Sequence, residues 1–315
     1  MQVTEVDARD VFVLVLVPSN MLEADICGRK ITEWVDITAK GFQNRKINLQ
    51  RNDNIVTIIK NSVIDTKYCV VLYADTPLLT RATVEQALSF AATYGHRAVQ
   101  LPRGWVFETD YIKTVAQIEA VAAPNLPEDD FLIAYNYAQV AVISTFARVR
   151  INDVHLANGV QITDPHNVYI DADVQIGKGT KIGPGVILRG ETKIGENCRI
   201  TNFVEIKKST VGDGTKISHM SYIGDATIGK ECNIGCGVVC CNYDGKEKHK
   251  TTIGNKAFIG SNTNLVAPVT VGNGAFVAAG STITNDVPDK SFGIARARQA
   301  IKEGWLPGQN DGAKE

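Results

Sequence analysis

The chain has 315 residues, with 33 Lys and Arg against 34 Asp and Glu, and its net charge of −1 gives no bulk electrostatic case for nucleic acid or an anionic membrane as partner. Its 44% hydrophobic and 21% charged content is that of a soluble globular protein long enough for two domains. The longest apolar run, Val11 to Val17, is too short to span a bilayer, and no signal-peptide pattern opens the chain, so the expected location is the cytoplasm. Four of the seven cysteines crowd between Cys232 and Cys241, and in a reducing compartment they are expected as free thiols.

Residues from about 10 to 135 alternate strand and helix signals, the pattern of an α/β domain. VFVLVLV (Val11 to Val17) and KYCVVLYAD (Lys67 to Asp75) are buried-strand candidates. Arg81 to Tyr94 predicts a helix capped by Thr80, with Thr83 as the alternative cap. A second helix, from about Tyr137 to Ala157, is expected to join the domains. The expected division is an α/β domain at 1–135, a linker helix at 136–157, a repeat domain at 158–290 and a tail at 291–315.

From Ile170 an aliphatic residue returns every sixth position: Ile170, Ile176, Ile182, Leu188, Ile194, Ile200 and Ile206. A five-residue step leads to Val211, Ile217 and Ile223, and another to Ile228, Ile234 and Cys240. After a polar insertion the rhythm resumes at Ile253, Ile259, Leu265, Val271, Val277 and Ile283. Six fits neither the helical period of 3.6 nor the strand period of 2. It fits short strands separated by corners, three to a coil, with each aliphatic residue inward: a left-handed parallel β-helix. An antiparallel sandwich would alternate and space its turns irregularly. Two segments leave the rhythm. CNYDGKEKHKTT (Cys241 to Thr252) is too polar for a wall and predicts an external loop, and the tail from Ser291 is expected to pack along the outside.

Within the repeats, His219 follows Ser218 at a coil position facing the surface. An imidazole, with an ordinary pKa near ~6.5, suits proton removal from an ammonium at neutral pH, although a lone surface histidine is more often merely solvated. Lys207 and Lys248 offer charge to a phosphate, against the alternative that the local lysines form a solvated face. Cys232, Cys236 and Cys240 step by four, which places them on different walls and argues for structural thiols over a zinc site.

The strings NFVEIKKS (Asn202 to Ser209), SHMSYIGD (Ser218 to Asp225), NIGCG (Asn233 to Gly237), CNYDG (Cys241 to Gly245), LVAPVTVG (Leu265 to Gly272) and KEGW (Lys302 to Trp305) occur in one order. Together they resemble the acetyltransferase half of the bacterial bifunctional UDP-N-acetylglucosamine pyrophosphorylase and glucosamine-1-phosphate N-acetyltransferase family, over roughly the last 160 residues. The resemblance implies a homotrimer with sites at subunit boundaries, acetyl-CoA as co-substrate and an amino-sugar phosphate as acceptor, in the supply of peptidoglycan precursors. It implies His219 as catalytic base, and Lys207, Tyr222, Asn233 and Lys248 as groups that hold the sugar phosphate. It also implies Cys236, Asn242, Tyr243, Ser261, Ala279 and Arg296 as acetyl-CoA contacts, with Cys236 standing where a small residue such as alanine is usual. Arg189 sits at the family's distance for a phosphate-binding arginine, but VILRGETKIGENCRI also resembles an earlier coil, so it is either that ligand or a product of deleted coils. Two other functions stay open: acetyl transfer to a different amino sugar, and a non-catalytic trimeric binding protein.

LYADTPLLT (Leu72 to Thr80) resembles a string of the family's pyrophosphorylase half, which implies Asp75 as a magnesium ligand and, more weakly, Asn136 as the second. That half of the family opens with a Gly-rich loop whose N–H groups cradle phosphates. Here the first strand runs instead into Pro18-Ser19-Asn20-Met21. The expectation is a shortened, degenerate nucleotidyltransferase-like domain that makes no UDP-sugar and needs Mg2+ only if it is active.

Overall fold

A computed structural model describes residues 4–20, 23–303 and 305. It divides into two compact units. One gathers the described residues up to Asn158 with Asp164–Val174 and Leu188–Gly190; the other holds Gly159–Thr163, Gln175–Ile187 and the described residues from Glu191 onward.

The first unit is a six-stranded sheet in the order Gln43–Asn48, Val11–Val17, Tyr68–Tyr73, Gly104–Glu108, Ala98–Leu101, Val121–Ala122. Val11–Val17 pairs in parallel with both neighbours, and Gly104–Glu108 lies antiparallel between Tyr68–Tyr73 and Ala98–Leu101. Val11, Val13 and Val15 join one core with Val35, Val84 and Leu88 from the helices Ile31–Ala39 and Arg81–Tyr94. Phe12, Leu14 and Leu16 join another with Ile59 and Ile112 from the helices Ile55–Ser62 and Thr109–Thr114. A strand covered on both faces is apolar at every position, which is why VFVLVLV does not alternate. Thr80 caps Arg81–Tyr94 by accepting from the N–H of Thr83, and Gly95 closes the helix with φ 67°. Tyr137–Ala157 is one continuous helix.

The second unit is a parallel β-helix. One wall stacks Gln161–Ile162, Lys181–Ile182, Arg199–Ile200, Lys216–Ile217, Asn233–Ile234, Phe258–Ile259, Phe276–Val277 and Phe292–Gly293. A second runs from Gln175–Ile176 to Val269–Val271, and a third carries Glu205–Lys207, Tyr222–Gly224, Val239–Cys241, Asn264–Val266 and Thr282–Ile283. The pairings join equivalent repeat positions, as in Ile200 with Ile217 and Ile206 with Ile223. The aliphatic series is buried throughout except for half-buried Ile176. Corners admit only small inward groups: Thr180, Cys198, Thr215, Cys232, Ala257 and Ala275 follow one another along one edge, all buried. The Thr180 and Thr215 hydroxyls accept from the N–H of Cys198 and Cys232, closing the turns.

The two interruptions are smaller than expected. Cys241 ends a wall strand and Thr251 begins another, so the external loop is 242–250. The wall also continues past 290. Phe292–Gly293 pairs with Phe276–Val277, and the rings of Phe258, Phe276 and Phe292 stack outside with centroids 4.4 and 5.6 Å apart. Aromatic stacking carries the strand order beyond the aliphatic rhythm. Tail residues 304 and 306–315 lie outside the described residues.

Ile234 is completely buried between Ile217 and Ile259. Ile234→Ala is expected to cost about 2–5 kcal/mol in denaturant titrations, because in-register coils cannot collapse into the void; a loss below about 1 kcal/mol contradicts the stacked-core account.

Candidate functional site

The wall that ends at Ile217 turns a corner before the wall that begins at Tyr222, and His219 sits on that corner, exposed. The same corner position is held in successive coils by Pro184, Asn202, His219, Cys236, Ser261 and Ala279. Backbone bonds fix the column: Gly237 N–H donates to the His219 carbonyl at 3.1 Å, Asn262 to Cys236 at 2.7 Å and Gly280 to Ser261 at 2.8 Å. At one strand spacing per coil, His219 to Ala279 spans about 15 Å. The backbone N–H groups of His219, Cys236, Ser261 and Ala279 find no acceptor among the described residues, nor does the imidazole of His219. Arg296 closes the column: a Cβ added to Gly280 would lie 3.8 Å from its Cδ. The predicted base and four predicted cofactor contacts therefore line one edge.

A second group gathers on the adjoining wall. Lys207, half-buried, pairs in register with Gly224, and a Cβ on Gly224 would meet the Tyr222 hydroxyl at 2.5 Å and the Asn242 amide nitrogen at 2.7 Å. Gly224 is thus the floor on which Tyr222 and Asn242 converge. The Asn242 amide donates to Asp225 at 2.5 Å. Tyr243 and exposed Lys248 form an antiparallel bridge across the loop. Asp244 staples that loop, accepting from the N–H of Lys246 and Glu247 and bonding His249 Nε2 at 2.7 Å. These bonds hold the Asp244 carboxyl far below its ordinary range.

One predicted ligand stands on another wall: Asn233 faces outward between Lys216 and Phe258. Exposed Arg189 ends Ile187–Arg189, the strand that neighbours Glu205–Lys207 in the third wall. Gly224 and Asp225 were missed as functional residues, although Asp225 and Asn242 lie 17 residues apart, one coil, and that spacing is a readable signal.

In the first unit Asp75 is nearly buried, and both its oxygens accept from Arg103, at 3.2 Å from Nε and 2.6 Å from Nη2. The guanidinium lies 4.0 Å over the Tyr73 ring. Asn136 is spent as the cap of Tyr137–Ala157, accepting from the N–H of Gln139. These residues do not fit a divalent cation: a guanidinium already neutralises the carboxylate, and no cluster of three or more His, Cys, Asp or Glu able to hold a metal occurs among the described residues. Asp75 is engaged by Arg103 and Asn136 caps a helix, so neither is set up as the magnesium ligand that the resemblance implies. A cleft of about 440 Å³ beside Val17 is lined by Glu23, Asp25 and Lys30, two carboxylates to one ammonium, a poor cradle for phosphates. Met21 lies outside the described residues.

Comparison with known proteins finds relatives over much of the chain. Residues 250–285 match the repeat described as bacterial transferase hexapeptide, and residues 147–244 match the GMPPB C-terminal domain. The bifunctional protein GlmU of Clostridium acetobutylicum is 41% identical over 256 residues, covering 65% of this chain and 56% of its own. Those of Clostridium kluyveri and Clostridium botulinum are 40% and 41% identical over the same shares. The chain thus spans about half the length of the curated relatives it matches. A 256-residue alignment exceeds 65% of 315 residues, so it runs across gaps in this chain, the mark expected of missing coils. Among solved structures, a hexapeptide transferase family protein from Anaplasma phagocytophilum covers 46% of this chain and 76% of its own at 25% identity, with a TM-score of 0.29.

The fold and the repeat together define a hexapeptide-repeat protein of the left-handed β-helix class. Within that class the chain is a relative of the bifunctional GlmU proteins.

Burial pushes the thiol of Cys69 up to about 12 and that of Cys240 up to about 11, and raises those of Cys198 and Cys232. A raised pKa keeps these groups protonated and unreactive at pH 8. Titration of the native chain with a disulfide reagent is expected to label half-exposed Cys236 and Cys241 first, and the four buried thiols only on unfolding.

Arg103→Ala is expected to destabilise the first unit by about 1–3 kcal/mol in thermal melts, since it strands a buried carboxylate. Adding Asp75→Ala should recover most of that loss; a double variant as unstable as the sum of the singles contradicts the pairing.

Proposed function

We propose that the chain is an acetyl-CoA-dependent N-acetyltransferase acting on glucosamine 1-phosphate, with His219 as general base. The observation that carries the reading is the corner column, which puts an unpartnered imidazole in line with unpaired backbone N–H groups and ends at Arg296. An extended acyl donor lying along that edge presents its thioester carbonyl to those N–H groups. Lys207 and Lys248 supply positive charge to the sugar phosphate, and Tyr222 and Asn242 shape the acceptor pocket above Gly224.

The chemistry follows from those placements. His219 takes a proton from the substrate ammonium, and the neutral amine attacks the thioester carbonyl carbon. Negative charge collects on the carbonyl oxygen, where a corner N–H donates to it; losing one such donor typically costs about 2.7–4 kcal/mol of barrier. The intermediate collapses with cleavage of the C–S bond, and the coenzyme leaves as its thiolate; the nitrogen gives its second proton to that thiolate, so the products are the amide and the free thiol, and the proton on His219 passes to water.

Asn233 lies on another wall and does not join this group within one chain. The reading therefore includes a homotrimer in which a neighbouring copy brings the missing wall to the site. The first unit, with Arg103 on Asp75 and carboxylates beside Val17, has lost uridylyl transfer. A different amino sugar as acceptor keeps the same chemistry and changes only the pocket above Gly224.

His219→Ala is expected to lower kcat by roughly 10²–10⁴-fold while leaving acetyl-CoA binding within a few-fold, measured by thiol release and calorimetry. Wild-type protein that releases no thiol with any amino-sugar phosphate, yet assembles normally, overturns the reading in favour of a binding protein. Pyrophosphate release from UTP by the wild type overturns the loss of uridylyl transfer.

A further inference from the structure

We infer that Asp225 is a positioning residue that sets the orientation of the Asn242 amide, and so fixes the side on which its carbonyl oxygen is offered to a reactant. The inference rests on the acetyltransferase reading for its functional half.

The geometry is specific. Asn242 is buried at 7% exposure, at the start of the external loop. Its side chain reaches back one coil, and its nitrogen lies 2.5 Å from the Asp225 carboxylate. A carboxylate only accepts, so the branch facing it must be the NH2. The other branch, the carbonyl oxygen, is turned away from Asp225. It has no donor among the described residues, and it is not among their fully buried unsatisfied atoms. A nearly buried amide is thus locked with its nitrogen toward Asp225 and over Gly224, and its carbonyl oxygen on the opposite branch is left open.

Asp225 has a φ of 50°, in the left-handed region that glycine, asparagine and aspartate tolerate best. Its N–H donates to the Lys207 carbonyl at 3.0 Å, and its own carbonyl accepts from Thr251 at 3.3 Å. The residue therefore ties the strand that bears Lys207, the strand that follows the loop, and the first side chain of the loop. A charge-assisted bond at this junction fixes the amide more firmly than a neutral partner would.

An open carbonyl acceptor selects an N–H donor. Two reactants carry one: the amino group of the sugar and the amides of the acyl donor's pantetheine arm. Which Michaelis constant moves identifies the source.

The test uses the full chain and four variants: Asp225→Gly, Asp225→Asn, Asn242→Ala and the Asp225→Gly/Asn242→Ala double. Glycine removes the carboxylate without straining the backbone; asparagine keeps an acceptor and tolerates the same φ. Asp225→Gly and Asn242→Ala are each expected to lower kcat/KM by about 10–100-fold, and the double variant to be no worse than the poorer single. Asp225→Asn should stay within about fivefold of wild type. Losses that multiply in the double variant, or a fully active Asp225→Gly, overturn the inference, as does a folded Asp225→Asn as impaired as Asp225→Gly.

Hydrogen exchange supplies a readout independent of turnover. The 242–250 peptide should exchange faster in Asp225→Gly than in wild type and be unchanged in Asp225→Asn; equal protection in both overturns the positioning role whatever the activity. If the wild type transfers no acetyl group while exchange behaves as expected, the acetyltransferase reading fails and the clamp stands. If His219→Ala abolishes turnover while Asp225→Gly leaves it intact, the reading stands and the clamp fails.

Discussion

Strict register is the constraint on which the β-helical unit depends. Each strand is two or three residues long and cannot bury anything alone, so its inward residue must meet the equivalent residue one coil away. Ile182, Ile200, Ile217, Ile234 and Ile259 form one such stack. A slip by one residue would turn every one of them to solvent. Register therefore fixes more than the core. It also fixes which outward residues become neighbours, and at a corner those neighbours are separated by a single strand spacing. The proposed site is a by-product of core packing: His219, Cys236, Ser261 and Ala279 share an edge because the isoleucines beside them share an interior.

The same constraint accounts for the cysteines. A triangular prism narrows at its corners, and the inward corner position along one edge reads Thr180, Cys198, Thr215, Cys232, Ala257, Ala275. Hydroxyl, thiol and methyl are close in size, and the first two can also bond the neighbouring coil. Cys198 and Cys232 lie 3.2 and 3.0 Å from the carbonyls of Gly212 and Gly254. Cys240 occupies an aliphatic position outright. Thiols in these places are packing groups, and burial keeps them protonated. Cys236 differs from these, half-exposed because it occupies the outward corner of the column.

Much of this was legible in the sequence, for physical reasons that also mark where legibility ends. The sixfold series named the inward residues because burial allows no polar substitute there. Thr80 was readable as a cap because a short hydroxyl ahead of a helical run has one common use. The corner column was less readable. One shortened coil and one loop-bearing coil make its spacing uneven, so the alignment of Cys236 with Ser261 appears only once the coils are stacked. The wall strand at Phe292 escaped because stacked phenylalanine rings replace the aliphatic signal. Arg103 gave no sequence signal at all. It meets Asp75 from a turn 28 residues away, through an antiparallel pairing that no local pattern announces.

In the first unit a string that resembles a pyrophosphorylase motif takes part in a structural ion pair. Asp75 keeps its place after the central strand, where a carboxylate is nearly buried and must be compensated. Either a divalent cation or a fixed guanidinium meets that electrostatic demand. Arg103 meets it with two hydrogen bonds and a ring beneath it, and so leaves no vacant coordination for phosphate oxygens. The strand, the carboxylate and the sheet around it persist because folding needs a neutralised Asp75, a requirement that is indifferent to catalysis. The acetyltransferase reading differs in kind. An unpartnered imidazole and an edge of unpaired N–H groups satisfy no demand of folding: water meets them in the free chain, and under the proposal the two reactants take its place.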